Sequence, residues 1–475
     1  MRVFGALVVL FFCIQLFANA QKQGNQWVFP NNNTLNFNSV PPEFSVGGAI
    51  GCSSSDFCEG VASVADSSGS LLFYSDGTAV WDSNHQIIAN GDGLLGHRSS
   101  TNAAYVLPFP NSNTQFYLFT TDGKENNLEN GLRYNVIELC GESNLRVTEK
   151  NVLLRNNVTE KLCATRNGNG QDYWLLAHER GSDRFLCYSI TINGIELTDS
   201  MAVGVVHPSA ANGAVGQMKF SPNGDRIVST ISNTPNPGIE LFDFDNQTGA
   251  ITQPIFFNPD TLEGFPMPFY GLSFSPDGEK LYASPVYWER IYQVDLSQSA
   301  SSQELVNSSV LLNNVWNSPF GVHQIQLGPD GKIYVASRGK PYLAVVNFPN
   351  QIGLACDFDP QGVDLLGNVS GWGLPAFVDN FDYSATGVCD TGVGIEAFAD
   401  KGELKVYPNP TTSQLNINLS PNQRATAIGM FDLLGREVLH QPFATQVDVS
   451  QLPAGNYILE VQTAEGVLRK RVVVE

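Results

Sequence analysis

A five-residue motif recurs at a nearly fixed interval and limits what this chain can fold into. Phe220-Ser221-Pro222-Asn223-Gly224 returns as Phe274-Ser275-Pro276-Asp277-Gly278 and as Leu327-Gly328-Pro329-Asp330-Gly331, with glycines 54 and 53 residues apart. Proline presets φ at the first turn position, Asn or Asp bonds back to the backbone, and Gly supplies positive φ. Each motif leads into a short apolar run: Arg226-Ile227-Val228, Lys280-Leu281-Tyr282-Ala283 and Lys332-Ile333-Tyr334-Val335-Ala336. This is hairpin chemistry at a fixed period. Looser copies extend it upstream, where Asp66-Ser67-Ser68-Gly69, Pro110-Asn111-Ser112-Asn113 and Ala164-Thr165-Arg166-Asn167-Gly168 each precede another apolar run.

Six repeats are visible between about residues 47 and 364. Several continue into a further strand, as in Gly238-Ile239-Glu240-Leu241-Phe242 and Arg290-Ile291-Tyr292-Gln293-Val294. About four strands per unit of this length describe a β-propeller blade. Gln26-Trp27-Val28-Phe29 and Thr34-Leu35-Asn36-Phe37 are left over at one end, and Trp372-Gly373-Leu374-Pro375-Ala376-Phe377 at the other. Open sheet edges template aggregation, so these pieces are expected to pair as a shared blade. The expectation is an all-β chain with a seven-bladed β-propeller over 21–385, six or eight blades being the fallback.

The last residues read as a separate small β unit. Gln414-Leu415-Asn416-Ile417-Asn418-Leu419 alternates with period two, and Asp432 to Gly435 and Pro453 to Asn456 are turn clusters. Tyr407-Pro408-Asn409-Pro410, the turn ending at Gly435, and Gly455-Asn456-Tyr457 stand in an order that resembles the type A C-terminal sorting domain of type IX secretion substrates of Bacteroidota. The resemblance implies an Ig-like β-sandwich over 403–475, behind a linker at 386–402. It also implies two partners, the secretion translocon and its sorting peptidase, and an address at the outer cell surface or beyond it.

The other end supports export independently. Arg2, the apolar run Val3 to Phe17 and Ala18-Asn19-Ala20 have the layout of a cleaved signal peptide over 1–20. Fifteen apolar residues are too few to span a bilayer comfortably, so no transmembrane anchor is expected.

Charge is unevenly divided. Residues 21–400 hold eighteen basic and thirty-nine acidic side chains, whereas 401–475 hold seven of each. So acidic a body argues against nucleic acid and anionic membranes as partners. Cys52 and Cys58 bracket one short loop and are the first disulfide candidates, with Cys163–Cys187 a second possibility. No Cys-x-x-Cys occurs, and no metal or other cofactor is expected.

Gly77-Thr78-Ala79-Val80-Trp81-Asp82, Gly131-Leu132-Arg133-Tyr134, Val158-Thr159-Glu160-Lys161-Leu162 and Gly373-Leu374-Pro375-Ala376-Phe377 are similar to the propeller region of gliding-motility-associated surface proteins. That resemblance implies a fold rather than an activity. No hydrolase elbow, metalloprotease helix or phosphate loop is present. Asp243-Phe244-Asp245-Asn246-Gln247-Thr248-Gly249 departs from calcium-loop spacing and reads as a turn, and His178-Glu179-Arg180 reads as an exposed polar loop.

One alignment points to a site. Four residues before the residue that opens each turn motif, the repeats place Glu160, Gly216, Tyr270 and His323. The innermost strand of a blade starts at the channel mouth, so these positions ring one entrance, with Trp372 joining from the last segment. Such a ring offers a ligand site, and ordinary polar lining of a water-filled channel is the plainer alternative. Two functions follow. One is a non-enzymatic propeller that binds an extracellular glycan, peptide or protein; the other is a hydrolase, lactonase or lyase acting at the channel mouth.

Overall fold

The computed structural model describes residues 22–379 and 404–474, apart from 53–56, 113, 141–143, 233–235, 261–265, 287–288, 298–300, 316–320, 420–423, 433–435 and 464–465. The expected signal peptide and linker lie outside the described residues. The chain forms two units, Met1–Cys389 and Asp390–Glu475.

The first unit is a β-propeller built from small antiparallel sheets, seven of them among the described residues. The first two have three strands each: Gln26–Phe29, Asn33–Asn36 and Glu43–Val46, then Ala62–Ala65, Leu71–Ser75 and Val80–Asp82. Five four-stranded sheets follow, opening with Tyr105–Pro108, Val158–Arg166, Met218–Phe220, Phe269–Phe274 and Val322–Leu327. The recurring motif joins the first strand of a sheet to its second, with Gly224, Gly278 and Gly331 at φ 68°, 74° and 76°. Only glycine enters that region without a steric cost. The side chains of Ser221 and Ser275 close these turns by accepting the amide protons of Arg226 and Lys280 at 3.0 and 2.9 Å.

Burial falls from the first strand of a sheet to its last. Every residue of Phe269–Phe274 is buried, whereas Gly194–Ala202 is mostly exposed or half-buried. Hydrophobic clusters tie each sheet to the next: Phe73 with Phe116, Phe119 with Leu175, Phe185 with Phe242, Leu241 with Leu272, and Tyr282 with Ile333. The last sheet meets the first where Trp27 and Phe37 pack edge-on against Tyr334, both at 5.3 Å between centroids.

The two ends of this unit do not share a blade by strand pairing, contrary to expectation. Gln26–Phe29 and Asn33–Asn36 pair with each other in a local hairpin, and Glu43–Val46 adds to its free side. Closing so short a loop costs far less chain entropy than pairing across the whole propeller. The C-terminal apolar run instead becomes a strap through the middle of the ring. Backbone amides of Trp372, Ala376 and Asp379 donate to the carbonyls of Cys58, Val61 and Ala164. Leu374, Ala376, Phe377 and Val378 are buried along it. Gly373 makes the passage possible, because a Cβ there would stand 1.5 Å from the Glu59 carbonyl oxygen.

Cys52 and Cys58 form a disulfide. Cys163 and Cys187 are free and buried, a correction to the second pairing. Both face Leu176 from opposite sides, so they stand two strand spacings apart, about 9–10 Å, beyond disulfide reach.

The second unit is a β-sandwich. Lys405–Tyr407, Gln414–Asn418 and Gln446–Asp448 form one sheet, and Glu437–Pro442, Ala425–Asp432, Gly455–Thr463 and Gly466–Val474 the other, in those spatial orders. Leu415, Ile417 and Val447 of the first pack against Ile428, Leu459 and Val472 of the second. The motif residues hold its end together: Asn409 Oδ1 accepts from the Val473 amide at 2.8 Å, and the Tyr457 hydroxyl donates to Pro453 at 2.7 Å. Tyr407 is half exposed, Pro408 and Pro410 follow cis peptide bonds, and Gly455 opens the strand that carries Tyr457. Gly435 lies outside the described residues.

Candidate functional site

The register that aligns Glu160, Gly216, Tyr270 and His323 brings them to the start of their inner strands, around one mouth of the ring. Gly216 has φ 100°, and a Cβ there would stand 2.2 Å from Thr230 Oγ1, so this member of the ring has no side chain for a physical reason. The other three have distinct roles.

Glu160 is fully engaged. Its carboxylate accepts from the Thr101 amide and hydroxyl at 2.8 and 2.9 Å, and from the Lys124 amide at 2.9 Å. It clamps two loops together behind the mouth. Burial raises its pKa to about 7, and the donated hydrogen bonds offset part of that rise.

Tyr270 donates its hydroxyl to Glu59 in a short hydrogen bond. Burial holds the Glu59 carboxyl well above the usual range, with neighbouring Glu160 pushing the same way. Burial likewise raises the Tyr270 hydroxyl, with Glu59 adding to it. The pair therefore stays protonated more readily than either group would in water.

Trp372, carried by the strap, stacks on His323 at 3.5 Å between centroids and 22° between planes. Phe57 meets Trp372 edge-on at 5.3 Å, and the Arg338 guanidinium stands 5.3 and 5.2 Å from the Phe57 and Trp372 rings. Burial, and secondarily Arg338, keeps the His323 imidazole neutral. Among the described residues, neither ring nitrogen of His323 has a hydrogen-bond partner, nor does Trp372 Nε1.

These residues surround a cavity of about 200 Å³, whose wall includes Phe57, Glu59, Lys124, Asn212, Ser232, Tyr270 and Trp372. Of the four side chains proposed from sequence, Tyr270 and Trp372 line it; Glu160 and His323 support it from behind. Phe57 and Glu59 were missed because they flank Cys58 at the end of the Cys52–Cys58 loop, outside the repeat register. Their signal is faint: Glu59 sits two residues ahead of Val61, the position the register assigns to that sheet.

Below the mouth the channel is filled. Gln217 Oε1 accepts from the Leu272 and Ile325 amides, and Gln324 Oε1 from the Leu374 amide of the strap, at 2.9, 3.1 and 2.9 Å. At the strap's other end Lys219 Nζ meets Asp379 Oδ1 at 3.2 Å and Gln326 Oε1 at 2.7 Å, and Asp379 Oδ2 accepts from the Phe220 amide at 2.9 Å. Lys219 and Gln326 stand three residues after the mouth positions Gly216 and His323. The alternation in Gln217-Met218-Lys219-Phe220 and Gln324-Ile325-Gln326-Leu327 does put both on one strand face with a second polar residue, but the strap they meet was not legible.

His178 is not in an exposed loop, a correction to the reading from sequence. It lies buried in the strand Tyr173–Glu179 and stacks on His207 at 3.6 Å. His207 Nε2 is 3.1 Å from Glu240 Oε2. Burial lowers the His178 pKa to about 3, and the buried Lys161 ammonium adds to that. Asp245, from the calcium-like stretch, caps a turn by accepting from the Gln247 amide at 2.9 Å.

The tail has a recognisable family. Residues 405–475 match the secretion system C-terminal sorting domain family. The match makes the chain a type IX secretion cargo, exported to the cell surface or the extracellular space by interaction with that machinery. No helix among the described residues is long and apolar enough to cross a membrane. No curated protein sequence matches the chain. Among solved structures, hydrazine synthase of Kuenenia stuttgartiensis aligns at 14% identity and TM-score 0.43 over 70% of this chain and 98% of that one. The β-propeller domain of Cps50 (Swd1) from Myceliophteria thermophila aligns at 10% identity and TM-score 0.33 over 78% and 100%. A streptogramin B lyase aligns at 10% identity and TM-score 0.34 over 70% and 82%.

Proposed function

We propose that this protein is an exported, seven-bladed propeller that binds a small polar ligand, or one unit of a larger glycan, in the cavity at its channel mouth. The observation that carries this reading is the cavity itself. It joins the aromatic rings of Phe57, Tyr270 and Trp372 to the buried carboxyl group of Glu59. Binding sites are typically concave, largely apolar and fitted with a few convergent polar groups.

Binding is favoured over catalysis by the state of Glu160. A hydrolytic pair needs two carboxyl groups free to exchange protons, and all the hydrogen bonds to Glu160 come from Thr101 and Lys124. The signal peptide over 1–20, removal of the tail by a sorting peptidase, and kinship with gliding-motility-associated propellers belong to this same proposal. The test is a glycan and peptide array probed with the purified protein and with Trp372→Ala. Array signals lost in the variant support the reading. A complete absence of signals, or signals unchanged by the substitution, contradicts it.

A further inference from the structure

The chemistry of the mouth narrows the ligand class further, given the binding reading above. Glu59 brings a carboxyl group to the cavity wall, and its side chain has one hydrogen-bonded partner among the described residues, the neutral Tyr270 hydroxyl. No cation lies within salt-bridge distance of it there. Lys124, also on the wall, acts on Glu59 through its charge only from beyond that distance and pairs with Glu125 at 4.0 Å. Burial keeps the Glu59 carboxyl protonated in the empty mouth; an arriving ammonium pairs with its ionised form, and the proton passes to solvent.

Phe57 and Trp372 already have a cation partner in Arg338, at 5.3 and 5.2 Å, which places a ligand's positive charge at Glu59 rather than on the rings. The surrounding body, with thirty-nine acidic and eighteen basic side chains over 21–400, steers cations inward. The wall is also not an apolar tube of the kind that a lysine side chain fills. Val215, Pro268 and Val286 give it apolar stretches, and Asn212 and Ser232 break them with polar groups.

The geometry points to an amino-sugar unit as the occupant: a single ring carrying a protonated primary amine. The ammonium meets Glu59, the hydroxyls meet Asn212 and Ser232, and the apolar ring face lies against Phe57 and Trp372. A cavity of about 200 Å³ holds one such ring rather than a drug-sized molecule.

Isothermal titration of the purified protein with four probes tests this: chitosan oligosaccharides, which carry free amines, N-acetylated chitin oligosaccharides, glucose oligomers, and lysine amide. The free-amine sugar binds at least about tenfold more tightly than the other three, roughly 1.4 kcal/mol. Glu59→Gln erases that preference, Glu59→Asp retains it, and Trp372→Ala weakens every sugar, each variant being checked for native circular dichroism. Equal affinity for acetylated and free-amine sugars overturns the amino-sugar assignment and leaves the mouth as a glycan site. Lysine amide binding as tightly as the free-amine sugar overturns it in favour of a peptide cation. Binding of no probe, or binding insensitive to Trp372→Ala, overturns the site as well.

Discussion

Trp372 lies flat on His323, with 3.5 Å between ring centroids, although the two residues come from different parts of the ring: one from the central strap, the other from an inner strand. The contact fixes the indole at the channel mouth. Because neither imidazole nitrogen is hydrogen-bonded among the described residues, the histidine serves there as a flat surface rather than as a polar group.

That role has a pH consequence. His323 is held well below its ordinary pKa by burial. The unfolded chain therefore takes up a proton as pH falls through about 6.5 while the folded protein does not, so this stability is present above that pH and lost below it. His323→Phe keeps the stack and removes the titration. Urea midpoints at pH 7.5 and 5 are expected to fall less for the variant than for the wild type.

Glu160 works in the opposite direction. Its folded pKa is about 7, raised from 4.5, so its contribution is full below pH 4.5 and is lost as pH rises to 7. Glu160→Gln should destabilise the protein most at low pH. The gap to the wild type narrows between pH 4.5 and 7, measured by thermal unfolding across that range.

The strap is latched at its far end by Asp379 and Lys219, both less than a tenth exposed. Asp379→Ala strands a buried ammonium and should cost about 3–5 kcal/mol, whereas Lys219→Met with Asp379→Leu should recover most of the loss. Denaturant midpoints of the two variants and the wild type check this.

Gly373 tests the passage of the strap directly. Its absent Cβ would collide with the Glu59 backbone, while a Cβ at Gly51 would find its nearest neighbour at 3.9 Å. Gly373→Ala should lower the melting temperature by several degrees and weaken ligand binding; Gly51→Ala should do neither.

Export is separable from all of this. Deleting residues 403–475 should leave the propeller in the periplasm, as followed by immunoblotting of culture medium, surface and periplasmic fractions. Unchanged appearance of the truncated protein outside the cell would contradict the sorting assignment.

The turn motif was legible because Pro, Asn or Asp, and Gly each answer a fixed backbone requirement. It correctly placed Phe220, Phe274 and Leu327 at the ends of inner strands, and from them Tyr270 and His323 at one mouth. The strap was not legible. Trp372 to Phe377 reads as one more apolar strand, and only the packed ring reveals that its backbone meets the starts of two inner strands, at Val61 and Gln324, instead of pairing with the N-terminal hairpin. Glu59 escaped notice for a related reason. It stands on a loop between sheets, where no repeat supplies a register.

The claim that the mouth cavity is the binding site is tested most directly by closing it. Asn212 is exposed at the cavity wall, so Asn212→Trp fills the entrance without disturbing the core. Calorimetric titration of an array-identified ligand into wild type and variant gives the answer. Loss of binding in a variant with an unchanged melting temperature is the predicted result; equal affinity for both proteins would place the ligand elsewhere on the molecule.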